Sequence, residues 1–276
     1  MLYSYYREKV KCLESAGVDD ARLDAKILIC HALSLSDGEF FMQRERTLTD
    51  AEIKRIDALI NRRADGEPVQ YIIGRWSFMR REFIVNEGCL IPRQDTETLV
   101  ESAIKIIREN KYETLLDLCT GSGCIGISLA LETGINALLS DISEAALSVA
   151  GQNAALNNAN VSFIKSDMFK SIKDESGKKP RFDIITVNPP YLTRQDMEEL
   201  QKEVRFEPEN ALFGGDDGLM FYRIIASEYK SFLNKNGTLL MEIGMRQEAD
   251  IKALFPECTV LKDMCRKPRV AVVKRV

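Results

Sequence analysis

The chain has 276 residues, and its 45% hydrophobic and 29% charged content is that of a globular protein, which excludes a disordered or fibrous chain. This length predicts about two domains. The 38 basic and 42 acidic side chains give a formal net charge of -4, which excludes a uniformly basic nucleic-acid coat but allows a local basic patch. No apolar run reaches the ~18 residues that a membrane span requires, and charged residues 7–9 exclude a signal peptide.

Cysteine and histidine usage narrows the chemistry. Seven cysteines are scattered along the chain without a C-x-x-C pair, which predicts reduced thiols in a cytoplasmic protein, with neither a disulfide framework nor a zinc site. His31 is the one histidine in the sequence. A histidine-based triad and a multi-histidine metal site are therefore excluded, and we expect no metal.

Residues 1–73 form the first predicted domain, which is helical. Asp19 and Asp20 stand at an N-cap position ahead of apolar residues at helical spacing. Thr49 and Glu52 form a capping box before a second such run. Glycines and prolines then punctuate short β-type runs such as Val69–Ile73 and Glu82–Val85. We predict a β-hairpin linker over residues 74–92.

Residues 93–276 form the second predicted domain, in which strands alternate with helices. Such alternation predicts a mostly parallel sheet covered by helices on both faces, and hence an α/β fold. The predicted strands are Thr114–Leu118, Asn136–Ser140, Val161–Lys165, Phe182–Val187, Thr238–Ile243 and Arg269–Val273. The predicted helices lie near residues 95–109, 124–132, 143–157, 218–233 and 245–254.

A glycine-rich loop follows the first of these strands and opens a helix. Gly121, Gly123 and Gly126 form the pattern G-x-G-x-x-G, in which glycine allows a tight turn and a close approach of a ligand to the backbone. The pattern alone fits a structural strand-to-helix turn equally well. Two aspartates support a binding site, because ligands of open α/β sheets bind at the carboxyl ends of strands.

Asp141 ends the next strand, where a carboxylate can accept hydrogen bonds from both hydroxyls of a ribose. Asp167 follows the third strand and is placed to meet the exocyclic amine of an adenine. The ligand is then a dinucleotide or S-adenosylmethionine. Asp117 at the start of the loop repels a pyrophosphate but attracts a sulfonium and an ammonium group, which favours S-adenosylmethionine.

The fourth strand runs directly into Asn188, Pro189, Pro190 and Tyr191. An Asn-Pro turn is the structural alternative. A planar NH2 group is a poor nucleophile, and the Asn188 side-chain oxygen and the Pro189 carbonyl can each accept one of its N–H bonds. Tyr191 can cover a flat substrate group. The motif therefore predicts in-line methyl transfer to an amide or a nucleobase amine, driven by positioning.

With these residues in view, the chain closely resembles the release factor glutamine methyltransferases, the HemK/PrmC family, over almost its whole length. The resemblance implies a class I S-adenosylmethionine-dependent methyltransferase, Rossmann-like with a seven-stranded, mostly parallel sheet, behind a small helical substrate-recognition domain. The matching segments are residues 20–25, 62–74, 90–97, 117–126, 166–169, 188–191, 205–208, 241–244 and 267–270.

The same resemblance implies that the acceptor is the side-chain amide nitrogen (N5) of the glutamine in the Gly-Gly-Gln loop of peptide chain release factors. The residues it assigns to the cofactor are Cys119, Thr120, Gly121, Ser122, Gly123, Asp141 and Met168. The residues it assigns to the glutamine are Asn188, Pro189, Pro190 and Tyr191. To the cofactor set we add Asp117 and Asp167 from the reasoning above, together with Asn188.

Two departures from the family pattern stand out. Cys119 replaces a common glycine, and Gln94-Asp95 replaces the commoner Pro-Glu, so no role is transferred to that pair. Glu97 and Glu242 match family positions, and a structural carboxylate is the interpretation we adopt for both.

Two other functions stay open at this point. An adenine-N6 nucleic-acid methyltransferase suits the same Asn-Pro-Pro-Tyr motif but calls for a basic channel, which the mixed charges of the first 70 residues do not supply. The second alternative is a binding module without catalytic activity, and the intact glycine loop and Asn-Pro-Pro-Tyr motif argue against it. We expect a cytoplasmic, monomeric enzyme with a release factor as its protein substrate and no nucleic-acid substrate.

Overall fold

The computed structural model describes residues 1–275, which divide into two compact units. The first contains Met1–Arg75 together with Gln201–Phe206, and the second contains residues 76–200 and 207–275. Of the helices that the structure describes, none has the length and apolar character required to cross a membrane.

The first unit is helical, as predicted, and its helices bury Leu13, Leu28 and Ile56 completely. The predicted capping box is confirmed: the Glu52 N–H donates to Thr49 Oγ1 at 3.3 Å, and the Thr49 N–H donates to Glu52 at 2.9 Å. The helices are α1 (Leu2–Ser15), α2 (Ala21–Leu33), α3 (Asp37–Met42), α4 (Asp50–Ala64) and α5 (Val69–Ile73).

The prediction of a strand over Val69–Ile73 is wrong, because this segment is helix α5. Pro68 occupies its N-cap with a fixed backbone angle that suits a helix start, and Gly74 ends it in a left-handed conformation. Val69 and Ile72 are both buried in the core of the first unit. Their spacing of three residues fits one helix face as well as their β-branched character fits a strand.

A buried ion pair crosses the first unit. Arg63 on α4 donates to the Asp24 carboxylate on α2 at 2.6 Å, and both side chains are almost fully buried. A second nitrogen of Arg63 bonds Glu203 at 2.5 Å, so the short segment Gln201–Phe206 adds a carboxylate to this unit. One cation therefore neutralises two acids.

The hairpin consists of β1 (Arg75–Phe78) and β2 (Arg81–Ile84). Phe78 and Phe83 meet edge to face with their ring centroids 6.0 Å apart, and both are buried in a core of the second unit. The Met79 N–H at the turn donates to Glu97 at 2.7 Å, which gives Glu97 a structural role. We predicted these residues as a linker; in the structure their aromatic side chains pack within the second unit.

Within residues 1–275 the second unit carries a seven-stranded sheet of order β5-β4-β3-β6-β7-β9-β8. All pairs are parallel except those made by β9, so the predicted mostly parallel α/β fold is confirmed. The strands are β3 (Thr114–Leu118), β4 (Asn136–Asp141), β5 (Ser162–Lys165), β6 (Phe182–Val187), β7 (Leu233–Glu242), β8 (Thr259–Lys262) and β9 (Pro268–Lys274). The residue pattern predicted six of these and missed β8.

The helices of this unit lie close to their predicted ranges, with the short helix α9 as an addition. They are α6 (Gln94–Asn110), α7 (Cys124–Thr133), α8 (Glu144–Leu156), α9 (Arg194–Glu198), α10 (Met220–Phe232) and α11 (Glu248–Leu254). Both sheet faces are buried: Leu115 and Ile184 belong to one apolar core, and Leu116 and Ile185 to the other. The carboxyl ends of β3, β4 and β6 meet at one edge, which places the predicted loops together.

The buried Arg63–Asp24 pair generates a stability prediction for the first unit. Asp24→Ala leaves the buried Arg63 guanidinium with the partly exposed Glu203 carboxylate and the Glu67 carbonyl as partners, and we expect a loss of about 3 kcal/mol in the free energy of unfolding. Asp37→Ala is the control, since its pair with Lys26 leaves the Asp37 side chain 72% exposed, and we expect a loss below about 1 kcal/mol. Urea unfolding monitored by circular dichroism measures both. Equal losses would show that the buried pair stabilises the unit no more than the exposed pair does.

Candidate active site

A cavity of about 410 Å³ lies at the carboxyl ends of β3, β4 and β6 in the second unit. The glycine loop and the Asn-Pro-Pro-Tyr motif both border it. The predicted site residues on its wall are Cys119, Thr120, Gly121, Ser122, Asp141, Asp167, Met168, Asn188 and Pro190. Asp117, Gly123 and Tyr191 are predicted site residues that do not line the cavity, and Pro189 stands between two residues that do, Asn188 and Pro190.

We expected Asp117 to meet the ligand, but its side chain does not line the cavity. Its carboxylate is wholly buried and accepts hydrogen bonds from the Thr120 hydroxyl at 2.6 Å, the Thr186 hydroxyl at 2.7 Å and the Gly126 N–H at 3.2 Å. Burial raises the pKa of Asp117 to about 6. The physical reason is strand alternation, which turns Asp117 to the same buried face as Leu115. Asp117 therefore holds the shape of the glycine loop.

The glycine loop needs its glycines for two different reasons. Gly121 and Gly123 have φ angles of +55° and +80°, in the left-handed region. A Cβ on Gly123 would stand 2.8 Å from Ile127 Cδ1, so the loop packs tightly against helix α7 at this position. A Cβ on Gly121 would meet nothing within 4 Å. The loop thus leaves open space where Gly121 borders the cavity.

Asp141 is bound to the same loop. One carboxylate oxygen accepts from the Gly121 N–H and the other from the Ser143 N–H, each at 2.9 Å. Burial raises the pKa of Asp141, while these backbone donors favour its charged form. Each oxygen keeps a lone-pair direction for a further donor. Because Asp141 borders the cavity, it fits a ligand with two neighbouring hydroxyl groups.

Two sulfur side chains form an apolar part of the wall. Cys119 Sγ lies 3.7 Å from Met168 Sδ, and both residues have positive φ angles. Burial raises the pKa of the Cys119 thiol well above its usual value, so the thiol stays neutral. Nearby, Asp167 pairs with Lys170, and both border the cavity.

The Asn-Pro-Pro-Tyr loop is held from behind by Gln247. The Gln247 amide donates to the Tyr191 carbonyl at 3.2 Å and to the Gly218 carbonyl at 3.1 Å, and accepts from the Gly244 N–H at 2.9 Å. Gly218 packs so closely on the Tyr191 carbonyl that any Cβ there would collide with it. Tyr191 itself packs against the apolar core, and its burial raises its pKa well above the usual value.

Gln247 and Glu207 are two residues of this site that the sequence patterns did not identify. The Glu207 carboxylate accepts from the Ile91 N–H at 3.0 Å and from the Arg93 guanidinium, and it orders the segment that borders the cavity before α6. Glu207 belongs to a family-like segment, residues 205–208, which was a usable signal. Gln247 had a weaker sequence signal: it follows β7, at the same edge of the sheet as the loops after β3, β4 and β6.

Glu242 is the last residue of β7 and is 1% exposed. Burial raises the pKa of Glu242, and the Thr96 hydroxyl and Arg269 lower it. Burial has the larger effect, so the resulting pKa is about 7. The folded protein therefore binds a proton at Glu242 that the unfolded chain releases near its ordinary value of 4.5. This contribution to stability is complete below pH 4.5 and is lost as the pH rises through about 7.

Glu242→Gln removes this titration. Between pH 5 and pH 8 we expect wild type to lose about 2–3 kcal/mol more of its free energy of unfolding than the variant loses. Denaturant unfolding of the second unit at both pH values measures the difference. Parallel pH dependences of the two proteins would contradict a buried, titrating Glu242.

Comparisons with known proteins agree with this geometry. The model "PrmC N-terminal domain" matches residues 5–74, and the model "Methyltransferase small domain" matches residues 96–212. A "Release factor glutamine methyltransferase" of Nitratidesulfovibrio vulgaris is 38% identical over 91% of this chain and 85% of its own length. A protein of the same name from Agrobacterium fabrum is 41% identical over 89% of this chain and 86% of its own.

Among solved structures, a methyltransferase from Pyrococcus furiosus shares the fold with a TM-score of 0.53 at 15% identity. That likeness covers 72% of this chain and 91% of the other. The predicted class I methyltransferase fold is confirmed. The two sequence relatives cover 91% and 89% of the chain, and the methyltransferase family model spans both motifs that meet at the cavity. The chain therefore belongs to the family of release factor glutamine methyltransferases.

Proposed function

We propose that this enzyme transfers a methyl group from S-adenosylmethionine to the N5 nitrogen of the glutamine in the Gly-Gly-Gln loop of peptide chain release factors. The observation that carries the proposal is the position of Asn188 on the wall of the same cavity as the glycine loop and Asp141. This position supports a site in which the donor and the acceptor bind in one cavity. The names of the sequence relatives support the choice of acceptor.

The donor side of the cavity fits S-adenosylmethionine, which supplies an activated methyl group on its sulfonium. Asp141 accepts hydrogen bonds from the ribose hydroxyls, and Asp167 accepts one from the adenine amine. Cys119 and Met168 give the apolar wall, and the open space beside Gly121 admits the ligand close to the backbone. Asp117 acts from beneath by fixing the loop, together with Gly123.

On the acceptor side, Asn188 Oδ1 accepts one N–H of the glutamine amide, and the Pro189 carbonyl accepts the other. Because both N–H groups of the amide then donate to protein oxygens, the nitrogen is held in one orientation, facing the methyl group. Pro190 borders the cavity and stiffens the turn. Tyr191 lies behind the wall, so we assign it to shaping this loop through its contact with Gln247. The N–CH3 bond forms as the S–CH3 bond of the sulfonium breaks, and the nitrogen releases one of its two protons to water. Positioning of this kind supplies up to roughly 7–11 kcal/mol of a barrier, and no histidine base is required.

The cellular context follows from the proposed substrate. We propose that the first unit recognises the release factor, and that the enzyme works as a cytoplasmic monomer without a nucleic-acid substrate. Seven cysteines, scattered without a C-x-x-C pair, support a reducing compartment. The net charge of -4 suits a protein substrate better than a polyanion.

The deciding experiment measures transfer of labelled methyl groups from S-adenosylmethionine to three acceptors. These are purified release factor, release factor with its loop glutamine replaced by alanine, and double-stranded DNA. We expect label on the first acceptor alone. Label on DNA but not on release factor would replace the proposal by the adenine-N6 activity.

Asn188→Ala tests the acceptor site. Because Asn188 holds the amide and not the donor, we expect turnover to fall by about 10²–10³-fold, as for removal of one hydrogen-bonding group that acts on the transition state. The dissociation constant of S-adenosylmethionine, measured by calorimetry, should change by less than about 3-fold. Loss of donor binding as the main effect would contradict the acceptor role.

Asp141→Ala tests the donor site. Loss of charged hydrogen bonds to a ribose predicts a donor affinity weaker by about 10–100-fold. Asp174→Ala is the control, because Asp174 is exposed and bonds its own loop. We expect the control to bind S-adenosylmethionine like wild type. Unchanged affinity in Asp141→Ala would remove this residue from the ribose site.

A further inference from the structure

The side-chain amide of Asn188 has two ends of nearly equal shape and opposite chemistry. Its oxygen accepts hydrogen bonds, whereas its NH2 group only donates them. An acceptor for the N–H of a substrate amide is present only when the oxygen faces the cavity. Something must therefore select one of two orientations that differ by a half-turn of the amide.

A short chain of hydrogen bonds leads from Asn188 into the interior. The Asn188 NH2 group lies 3.5 Å from the Thr96 hydroxyl oxygen, and the Thr96 hydroxyl donates to Glu242 Oε2 at 2.6 Å. Thr96 is 2% exposed and Glu242 is 1% exposed. The three residues belong to different elements: Thr96 to the first turn of α6, Glu242 to the end of β7, and Asn188 to the loop after β6.

The direction of this chain follows from counting protons. A carboxylate only accepts, so the single proton of the Thr96 hydroxyl is donated to Glu242. The Thr96 oxygen then has lone pairs alone for Asn188, and the group of Asn188 that faces it must be the NH2. With the NH2 turned toward Thr96, the amide oxygen is left for the cavity.

The charge of Glu242 sets the direction of the chain. Arg269 favours the ionised form of Glu242, whereas burial opposes it, and the pKa of Glu242 is about 7 as a result. At pH 8 the carboxylate is charged and acts as the acceptor at the inner end of the chain. The anion is also distant from solvent, so its bond to Thr96 is strong and leaves the hydroxyl little freedom to turn.

We propose that Thr96 and Glu242 are positioning residues that hold the Asn188 amide with its oxygen toward the substrate. The proposal rests on the role of Asn188 proposed above. Thr96 borders the same cavity as Asn188, but we assign it no contact with the donor sulfur or the acceptor nitrogen, because it acts through Asn188. Its loss therefore lowers kcat, because the wrong amide end presents a donor to a substrate that is itself a donor.

Three variants at position 96 separate the hydroxyl from the packing. Thr96→Val keeps the shape and removes the hydroxyl, Thr96→Ser keeps the hydroxyl and removes a methyl group, and Thr96→Ala removes both. At pH 8 we expect kcat for release-factor methylation to fall about 10–100-fold in Thr96→Val and Thr96→Ala. Thr96→Ser should stay within about 3-fold of wild type, with donor affinity unchanged within about 2-fold in all three.

The possible results are distinct. A wild type that does not methylate release factor refutes the proposed function, and this inference with it. An active wild type with an equally active Thr96→Val refutes the inference alone. A Thr96→Ser that loses as much kcat as Thr96→Val also refutes it, because packing is then what matters. If Thr96→Val does not fold, as judged by donor binding and thermal melting, the Thr96→Ala and Thr96→Ser pair decides by the same criteria.

Discussion

The buried carboxylate of Asp117 is the interaction on which the site depends. It lies directly opposite Thr186 in the pairing of β3 with β6, and it bonds Thr186, Thr120 and the backbone of Gly126. Thr186 is two residues before Asn188, so one side chain connects the loop that shapes the donor site with the strand that carries the acceptor loop. Methyl transfer requires these two loops at a fixed separation, and adjacent strands about 4.8 Å apart supply it. The cost is a buried acid, seen in its raised pKa.

The residues that border the cavity and the residues that hold them come from different parts of the chain. The glycine loop, Asp141 and Asn188 stand at the ends of β3, β4 and β6. Their supports come from elsewhere: Asn153 of α8 donates to the Ser122 carbonyl at 2.9 Å, and Gln247 before α11 fixes the carbonyl of Tyr191. Thr96 and Glu242 complete the same arrangement behind Asn188. The loops that border the cavity of this methyltransferase are therefore fixed by hydrogen bonds from residues far away in the sequence.

Much of this arrangement could be predicted from local patterns, because apolar runs, glycine spacing and capping residues act over a few positions. The strand ends, the glycine loop and the Asn-Pro-Pro-Tyr turn were of this kind. β8 was missed because Thr259–Lys262 is a short, partly exposed edge strand without a clear alternation. Thr96 could not be identified and Gln247 had only a weak signal, since the bonds from Thr96 to Asn188 and Glu242 and from Gln247 to Tyr191 join residues 56 to 146 positions apart and exist only once the sheet order is known. The burial of Asp117, in contrast, was available from its alternation with Leu115.

In the proposed complex, two oxygen atoms of one loop hold the acceptor nitrogen. A crystal structure of the enzyme with S-adenosylhomocysteine and a peptide containing Gly-Gly-Gln would show whether they do. We expect the glutamine nitrogen within hydrogen-bond distance, about 2.7–3.2 Å, of both Asn188 Oδ1 and the Pro189 carbonyl. We also expect the Asn188 NH2 to be turned toward Thr96. A glutamine amide bound away from Asn188, or an Asn188 NH2 facing it, would refute this arrangement.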